Sequence, residues 1–468
     1  MKKILALILA TILIAAVCPV VSAYEITSFP VTANNAMIVS LDTGEVLYQK
    51  NATQRIYPAS ITKLMTAAVI LDKYPTPEST DIVMTDSAYK RILGTGSAVL
   101  GAKVGEVING KDALACVLIS SAGDVVYAYA EAVSGSVENF VNDMNKKAAE
   151  IGLASTHYEN PIGLHSEQNY TTVEDIYLLC KYIFEKYPII KELGSKSRYK
   201  ISATNMSKER ILVTTNYLID PNTSYYYQYA NGLKTGFTDE SGRCLVSTAS
   251  YNGYNYLAIT MNCPTQNGTR TEFTTSRQLF RWAFNEFEYK AVLDVNQPAT
   301  EIDVRLSTES DYVSLYPSHQ VKSILPKEAD NSSIIIVPKL VGESVDAPIK
   351  KGDILGTADV IYAEKVIGTV DLIAGNDVNS NFFLVVFDKF VKIITSTPAK
   401  IIGAILLVAA LIFVAQVVAL NKKNIKKKRN LKYIPYDSEE EEKRKKRLKE
   451  KRQSQGRPEY KRDDDDII

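Results

Sequence analysis

The chain has 468 residues, 46% of them hydrophobic, which excludes a low-complexity polymer and leaves room for two or three domains. Its net charge of +1 conceals two unlike parts: from Asn421 to the end there are 18 Lys/Arg against 11 Asp/Glu, so that segment carries +7 and the rest −6. The acidic body gives no basis for a nucleic-acid partner. There are only three histidines, none at metal-ligand spacing, and no glycine-rich phosphate loop follows a strand, so metallohydrolase and phosphate-loop chemistry are set aside.

Residues 1–23 have the layout of a secretory signal: Lys2 and Lys3, an apolar run from Ile4 to Val17, then Val21, Ser22 and Ala23 as small residues for cleavage before Tyr24. The run is short for a membrane span. Ala36 to Leu41 and Val46 to Tyr48, joined by Asp42-Thr-Gly-Glu45, read as a β-hairpin. A helix from Ser60 to about Lys73 follows, entered through Pro58, with Leu64, Ala67, Ala68 and Leu71 at helical spacing. Ala113 to about Val133 is a helical region interrupted at Ser120-Ser-Ala-Gly-Asp124, and Val137 to Ile151 and Thr172 to Lys186 are further helices. Gly232 to Gly236 is extended. Arg243 to Tyr251 and Tyr254 to Asn262 flank Asn252-Gly253, the strongest short hairpin signal. Thr271 to Phe287 is amphipathic, with Phe280, Ala283, Phe284 and Phe287 as a core stripe.

After Tyr289, short Val-, Ile- and Thr-rich segments alternate with turns, which predicts a small all-β domain over 289–390. A linker over 391–400 leads to Ile401–Leu420, 20 residues without a charge, long enough for a hydrocarbon core of ~30 Å. Lys422, Lys423, Lys426, Lys427, Lys428 and Arg429 follow directly, a positive-inside flank that predicts a transmembrane helix with the body outside the cell and the tail in the cytoplasm. The charge-dense tail, 421–468, is expected to stay unfolded apart from some helix around Glu440 to Arg452. Cys116, Cys180, Cys244 and Cys263 show no paired spacing and read as buried thiols.

Lys63 raises the chemical question. A cation in the first turn of a helix opposes the helix dipole, at a cost of roughly 0.3–1 kcal/mol. Ser60 and Lys63, at i and i+3, share a helix face. A serine without a histidine partner can use a lysine as base once burial or a positive field lowers the lysine pKa. Ser87/Lys90 and Ser197/Lys200 repeat the spacing but open no apolar helix, and a plain N-cap is the competing reading of Ser60 alone. His157 and His165 are expected in loops or at the surface.

Two further stretches decide between these readings: Ile119-Ser-Ser-Ala-Gly-Asp124 at a helix end, and Asn231-Gly-Leu-Lys-Thr-Gly-Phe-Thr238 before the hairpin. With Ser60-Ile-Thr-Lys63, this ordered set resembles the serine D-alanyl-D-alanine carboxypeptidases, the low-molecular-weight penicillin-binding proteins, with their Ser-x-x-Lys, Ser-x-Asn and Lys-Thr-Gly motifs. The resemblance extends over Ala36 to Phe287, including Asn160-Pro-Ile-Gly-Leu164 and Gly242 to Thr248, and into Leu340 to Ala374. It implies an α/β (α+β) serine β-lactamase/DD-peptidase-like domain over 24–288, with an antiparallel sheet flanked by helices, followed by the small all-β domain. It further implies Ser60 as nucleophile, Lys63 as base and Ser121 as proton relay. Lys234 and Thr235 are expected on the substrate carboxylate, Gly236 beside the bound peptide, and the backbone N–H groups of Ser60 and Phe237 in the oxyanion hole. The implied substrate is the peptidoglycan stem peptide, β-lactams are acylating inhibitors, and neither metal nor cofactor is required.

Gly123 departs from the pattern. The second motif should end in Asn, which in the family hydrogen-bonds the substrate backbone and the catalytic lysine; moving the frame to Ser120 gives Ala122 instead. The place of that amide is left to water or a neighbouring side chain. A β-lactamase is disfavoured, because no Glu-x-x-Leu-Asn element is present; a DD-endopeptidase and a catalytically impaired wall-binding scaffold remain as alternatives.

Overall fold

The computed structural model describes residues 24–266, 268–429 and 438–454, so the signal segment 1–23 lies outside the described residues. It divides into two compact units, one holding 310–345, 349–378 and the described residues up to Arg305, the other holding 306–309, 346–348 and the described residues from Asn379 onward.

The first unit is built on a five-stranded antiparallel sheet. The expected hairpin forms β1 (Asn35–Ser40) and β2 (Val46–Lys50). Three later strands, β3 (Ala230–Thr238), β4 (Gly242–Tyr251) and β5 (Tyr254–Cys263), complete it in the order β2-β1-β5-β4-β3. Asn252 and Gly253 both have positive φ, 49° and 85°, the conformation that the two-residue turn between β4 and β5 demands.

Both faces of this sheet are buried, and the period of two sorts the side chains. Ile38, Leu245 and Ala258 point to one side, against Phe273, Leu279, Phe280 and Ala283 of the amphipathic helix Thr271–Glu286. Met37, Val39, Val246, Leu257 and Ile259 point to the other, against a helical layer. That layer includes α1 (Lys63–Lys73), α2 (Gly110–Leu118) and α3 (Gly123–Ser134), of which α1 is buried at nine of its eleven positions. Its apolar burial is what holds Lys63 in a first turn that the dipole disfavours. The helical region expected as one interrupted stretch is two helices, α2 and α3, separated by Ile119 to Ala122. The decoy pairs lie on the surface: Lys90 pairs with Asp86 and Lys200 with Glu209, all four largely exposed.

Beyond Glu286 the chain turns to strands, as expected. Phe287–Ala291 pairs with Lys322–Pro326, and a larger antiparallel sheet places Ile334–Leu340, Ile354–Tyr362, Lys365–Ala374, Tyr312–Pro317 and Thr300–Arg305 side by side in that order. Lys365 Nζ lies 3.4 Å from the buried carboxylate of Glu45 in the first hairpin, whose pKa burial raises. The four described cysteines are buried and unpaired.

In the second unit, Phe382–Thr395 is helical, so the expected β domain and linker over 382–395 are replaced by an apolar helix with no buried residue. A second helix, Thr397–Arg429, contains a 27-residue stretch to Lys423 that is long and apolar enough to cross a membrane. Ser438–Gln453 is also helical, somewhat longer than the helix expected in the tail. Its Glu439 to Glu442 followed by Lys443 to Arg447 suits the helix dipole at the N-terminal end.

Leu245 is fully buried between the sheet and helix Thr271–Glu286. Leu245→Ala should cost about 2–5 kcal/mol, read as a lower thermal midpoint of the purified protein.

Candidate active site

Ser60 sits in a short 3-10 turn, Ala59–Thr62, and Lys63 is the first residue of α1. Lys63 Nζ donates to Ser60 Oγ at 2.9 Å and to the Ile162 carbonyl at 2.6 Å. Ser60 is therefore no plain N-cap: its hydroxyl engages the lysine. The amine is completely buried. Burial first, and the charge of Lys234 second, hold its pKa well below that of an ordinary lysine. A neutral amine at hydrogen-bond distance can take the hydroxyl proton.

The loop Asn160–Leu164 fixes this pair from the other side. Asn160 Oδ1 accepts from the backbone N–H groups of Gly163 and Leu164, at 2.8 and 2.9 Å, and Thr66 Oγ1 donates to the Pro161 carbonyl at 2.6 Å. Gly163 has φ +83°, and a Cβ there would lie 1.8 Å from the Ala59 carbonyl oxygen. Only glycine allows the loop to press so closely on the Ser60 turn. Ala59 itself has φ 46°, an unfavourable conformation maintained by this surrounding packing.

Ser121, between α2 and α3, is the serine of the second motif that faces the site. Its neighbour Ser120 turns away and donates to the Cys116 carbonyl at 3.0 Å. Ser60, Ser121, Thr235, Gly236 and Phe237 all line one cleft of about 620 Å³. Three distant sequence segments thus converge.

Lys234, expected on the substrate carboxylate, is a buried residue. Its side chain is 1% exposed and lies beneath the cleft surface, with Nζ donating to the Thr235 carbonyl at 3.0 Å. Burial lowers its pKa to about 7. Thr235 is the member of that pair that reaches the cleft, its hydroxyl 2.5 Å from that of Thr215. At Gly236 the missing side chain also serves close packing: a Cβ would lie 3.1 Å from both Ser60 N and Pro58 O, so the strand lies directly against the serine turn. Phe237 is half-exposed, with the Arg243 guanidinium 4.8 Å from its ring centre.

Arg270 has no counterpart in the sequence analysis. It lines the cleft from the connection between β5 and helix Thr271–Glu286. Glu272 accepts from its Nε at 2.8 Å, and its guanidinium lies 4.5 Å from the ring centres of both Tyr217 and Phe273. His165 is in a loop, as expected, but it also lines the cleft, 3.9 Å from Glu240.

The model of the family described as D-alanyl-D-alanine carboxypeptidase matches residues 22–265. The chain belongs to that family. A second family model, the C-terminal domain of penicillin-binding protein 5, matches residues 287–380. Among curated relatives, the carboxypeptidase DacF of Bacillus subtilis is 30% identical over 75% of this chain and 87% of its own length. A D-alanyl-D-alanine endopeptidase of Pseudomonas aeruginosa is 32% identical, over 53% of this chain and 76% of its own. The crystal structure of penicillin-binding protein 5 from Haemophilus influenzae superposes with a TM-score of 0.59 at 26% identity, covering 76% of this chain and 100% of that one. The protein is a serine DD-carboxypeptidase of mixed α/β fold with a C-terminal β domain.

Because Gly163 sets the contact beneath the serine turn, Gly163→Ala should slow acylation by a fluorescent penicillin by roughly 100-fold, the scale of a displacement near 1 Å at a reacting centre. A labelling time course beside wild type measures it.

Proposed function

We propose that this carboxypeptidase removes the terminal D-alanine from peptidoglycan stem pentapeptides through an acyl-enzyme on Ser60. The observation that carries the proposal is the buried Lys63 amine, 2.9 Å from the Ser60 hydroxyl and depressed in pKa by burial and by Lys234.

Ser60 Oγ attacks the carbonyl carbon of the bond between the two D-alanines, and its proton passes to Lys63 Nζ. The oxyanion is met by the backbone N–H groups of Ser60 and Phe237, at the close approach between β3 and the serine turn. The C–N bond then breaks. D-Alanine leaves with a proton relayed from Lys63 through Ser121, and water, deprotonated by the same lysine, releases the shortened peptide. The free carboxylate of the substrate is received by the Thr235 hydroxyl and by Arg270, whose planar guanidinium is held in place by Glu272, Tyr217 and Phe273. Lys234 supplies positive potential from below. β-Lactams acylate the same hydroxyl because they offer it a reactive carbonyl.

The endopeptidase alternative has less support. The endopeptidase relative aligns over 53% of this chain, whereas the carboxypeptidase DacF aligns over 75%. We further propose a cell-membrane protein anchored through Ile401 to Leu420, with the catalytic domain 24–288 and the β domain that follows it outside and the tail 421–468 in the cytoplasm. The apolar helix and the lysines that follow it support this topology.

Ser60→Ala should abolish both release of D-alanine from pentapeptide and labelling by fluorescent penicillin; labelling that persists rules Ser60 out as nucleophile. The pH profile of kcat/KM reports the free enzyme. Lys63 works only when neutral, so activity rises with pH as it loses its proton. Lys234 works only when charged, so activity falls again through a midpoint of about 7 as it loses its own. Lys234→Arg should move the falling limb to higher pH.

A further inference from the structure

The position that carries asparagine in the second motif of the family is Gly123 here, and the space above it is filled by another segment of the chain. A Cβ on Gly123 would lie 2.9 Å from Ser97 Oγ and 2.8 Å from Ile92 Cδ1. Ser97 belongs to the connection that runs from Ile92 towards α2, and it lines the same cleft as Ser60 and Ser121.

This connection is fastened to the start of α3 at several points. The Gly123 N–H donates to the Ala98 carbonyl at 2.7 Å. The Asp124 carboxylate accepts from the backbone N–H groups of Leu100, Gly101 and Ala102 at 2.9, 2.9 and 3.2 Å. On the other flank, Thr95 Oγ1 donates to the Ile92 carbonyl at 2.9 Å and accepts from the Ser97 N–H at 3.3 Å. Ser97 is thereby pinned from both sides. Its hydroxyl makes no hydrogen bond to any described residue. A hydroxyl both donates and accepts, so it can satisfy either an amide N–H or a carbonyl of a bound peptide.

We propose that Ser97 is a substrate-binding residue of this carboxypeptidase, its hydroxyl brought over Gly123 to hydrogen-bond the peptide backbone on the acyl side of the scissile bond. The inference rests on the reading of Ser60 as the acylated nucleophile. It accounts for glycine at position 123: any larger residue there meets the side chain that does the binding. Gly123 and Ser97 form one unit, the first vacating the place that the second fills.

Two β-lactams separate this role from a structural one. Benzylpenicillin carries an acylamino side chain that mimics the peptide backbone on the acyl side, whereas 6-aminopenicillanic acid has only an amine there. In Ser97→Ala, the second-order rate of acylation by benzylpenicillin should fall roughly tenfold, the effect of losing one hydrogen bond to the ligand, while the rate with 6-aminopenicillanic acid stays within about twofold of wild type. Ser97→Thr, which keeps the hydroxyl, should restore the benzylpenicillin rate. Equal slowing with both compounds, or no slowing with either, overturns the proposal. Wild-type protein that takes neither compound and releases no D-alanine from pentapeptide instead overturns the functional reading beneath it, and this inference with it.

Discussion

The structure turns on one buried amine. Lys63 is fully enclosed, donates to Ser60 and to the Ile162 carbonyl, and sits in a first helical turn where a cation is unfavourable. Burial first and Lys234 second favour its neutral form, so its placement costs stability and suits the amine to the base role proposed for it. The apolar face of α1 and the loop Asn160–Leu164 hold that arrangement in place from opposite sides. Gly163 and Gly236 then let two backbones approach the serine turn more closely than side chains permit.

A second consequence of the packing is a division of labour among cations. The two lysines of the motifs lie below the surface of the cleft, placed for the potential and proton transfer proposed for them. Arg270 lies at the surface, stacked on two aromatic rings and tied to Glu272. An ordered guanidinium with a fixed plane suits recognition of a carboxylate, whereas a buried lysine with a pKa near 7 suits tuning of its neighbour.

Much of this was legible in the sequence where the signal is local. The Asn252-Gly253 turn, the hairpin around Asp42 to Glu45 and the helix after Pro58 rest on backbone preferences within a few residues. The three motifs marked the cleft, because each requires a specific residue at a structural boundary. What could not be read depends on distance along the chain. Arg270 and Ser97 carry no local mark, and their place follows only once β5 and α3 have packed. The same holds for the Ile162 carbonyl, a backbone group that no residue type announces. Lys234 was found by its motif, yet its depth is a property of the layers around it. The helix Phe382–Thr395 was missed because β-like texture was carried past its true limit into an apolar run that also fits helical spacing.

The four thiols Cys116, Cys180, Cys244 and Cys263 lie in the interior with no bond between any two of them. Covalent staples therefore contribute nothing to this scaffold among its described residues, and its cohesion comes from the two apolar layers that sandwich the sheet. Among the described residues a reducing medium therefore meets no disulfide to break, and what it would have to undo is the burial of the sheet between its two apolar layers.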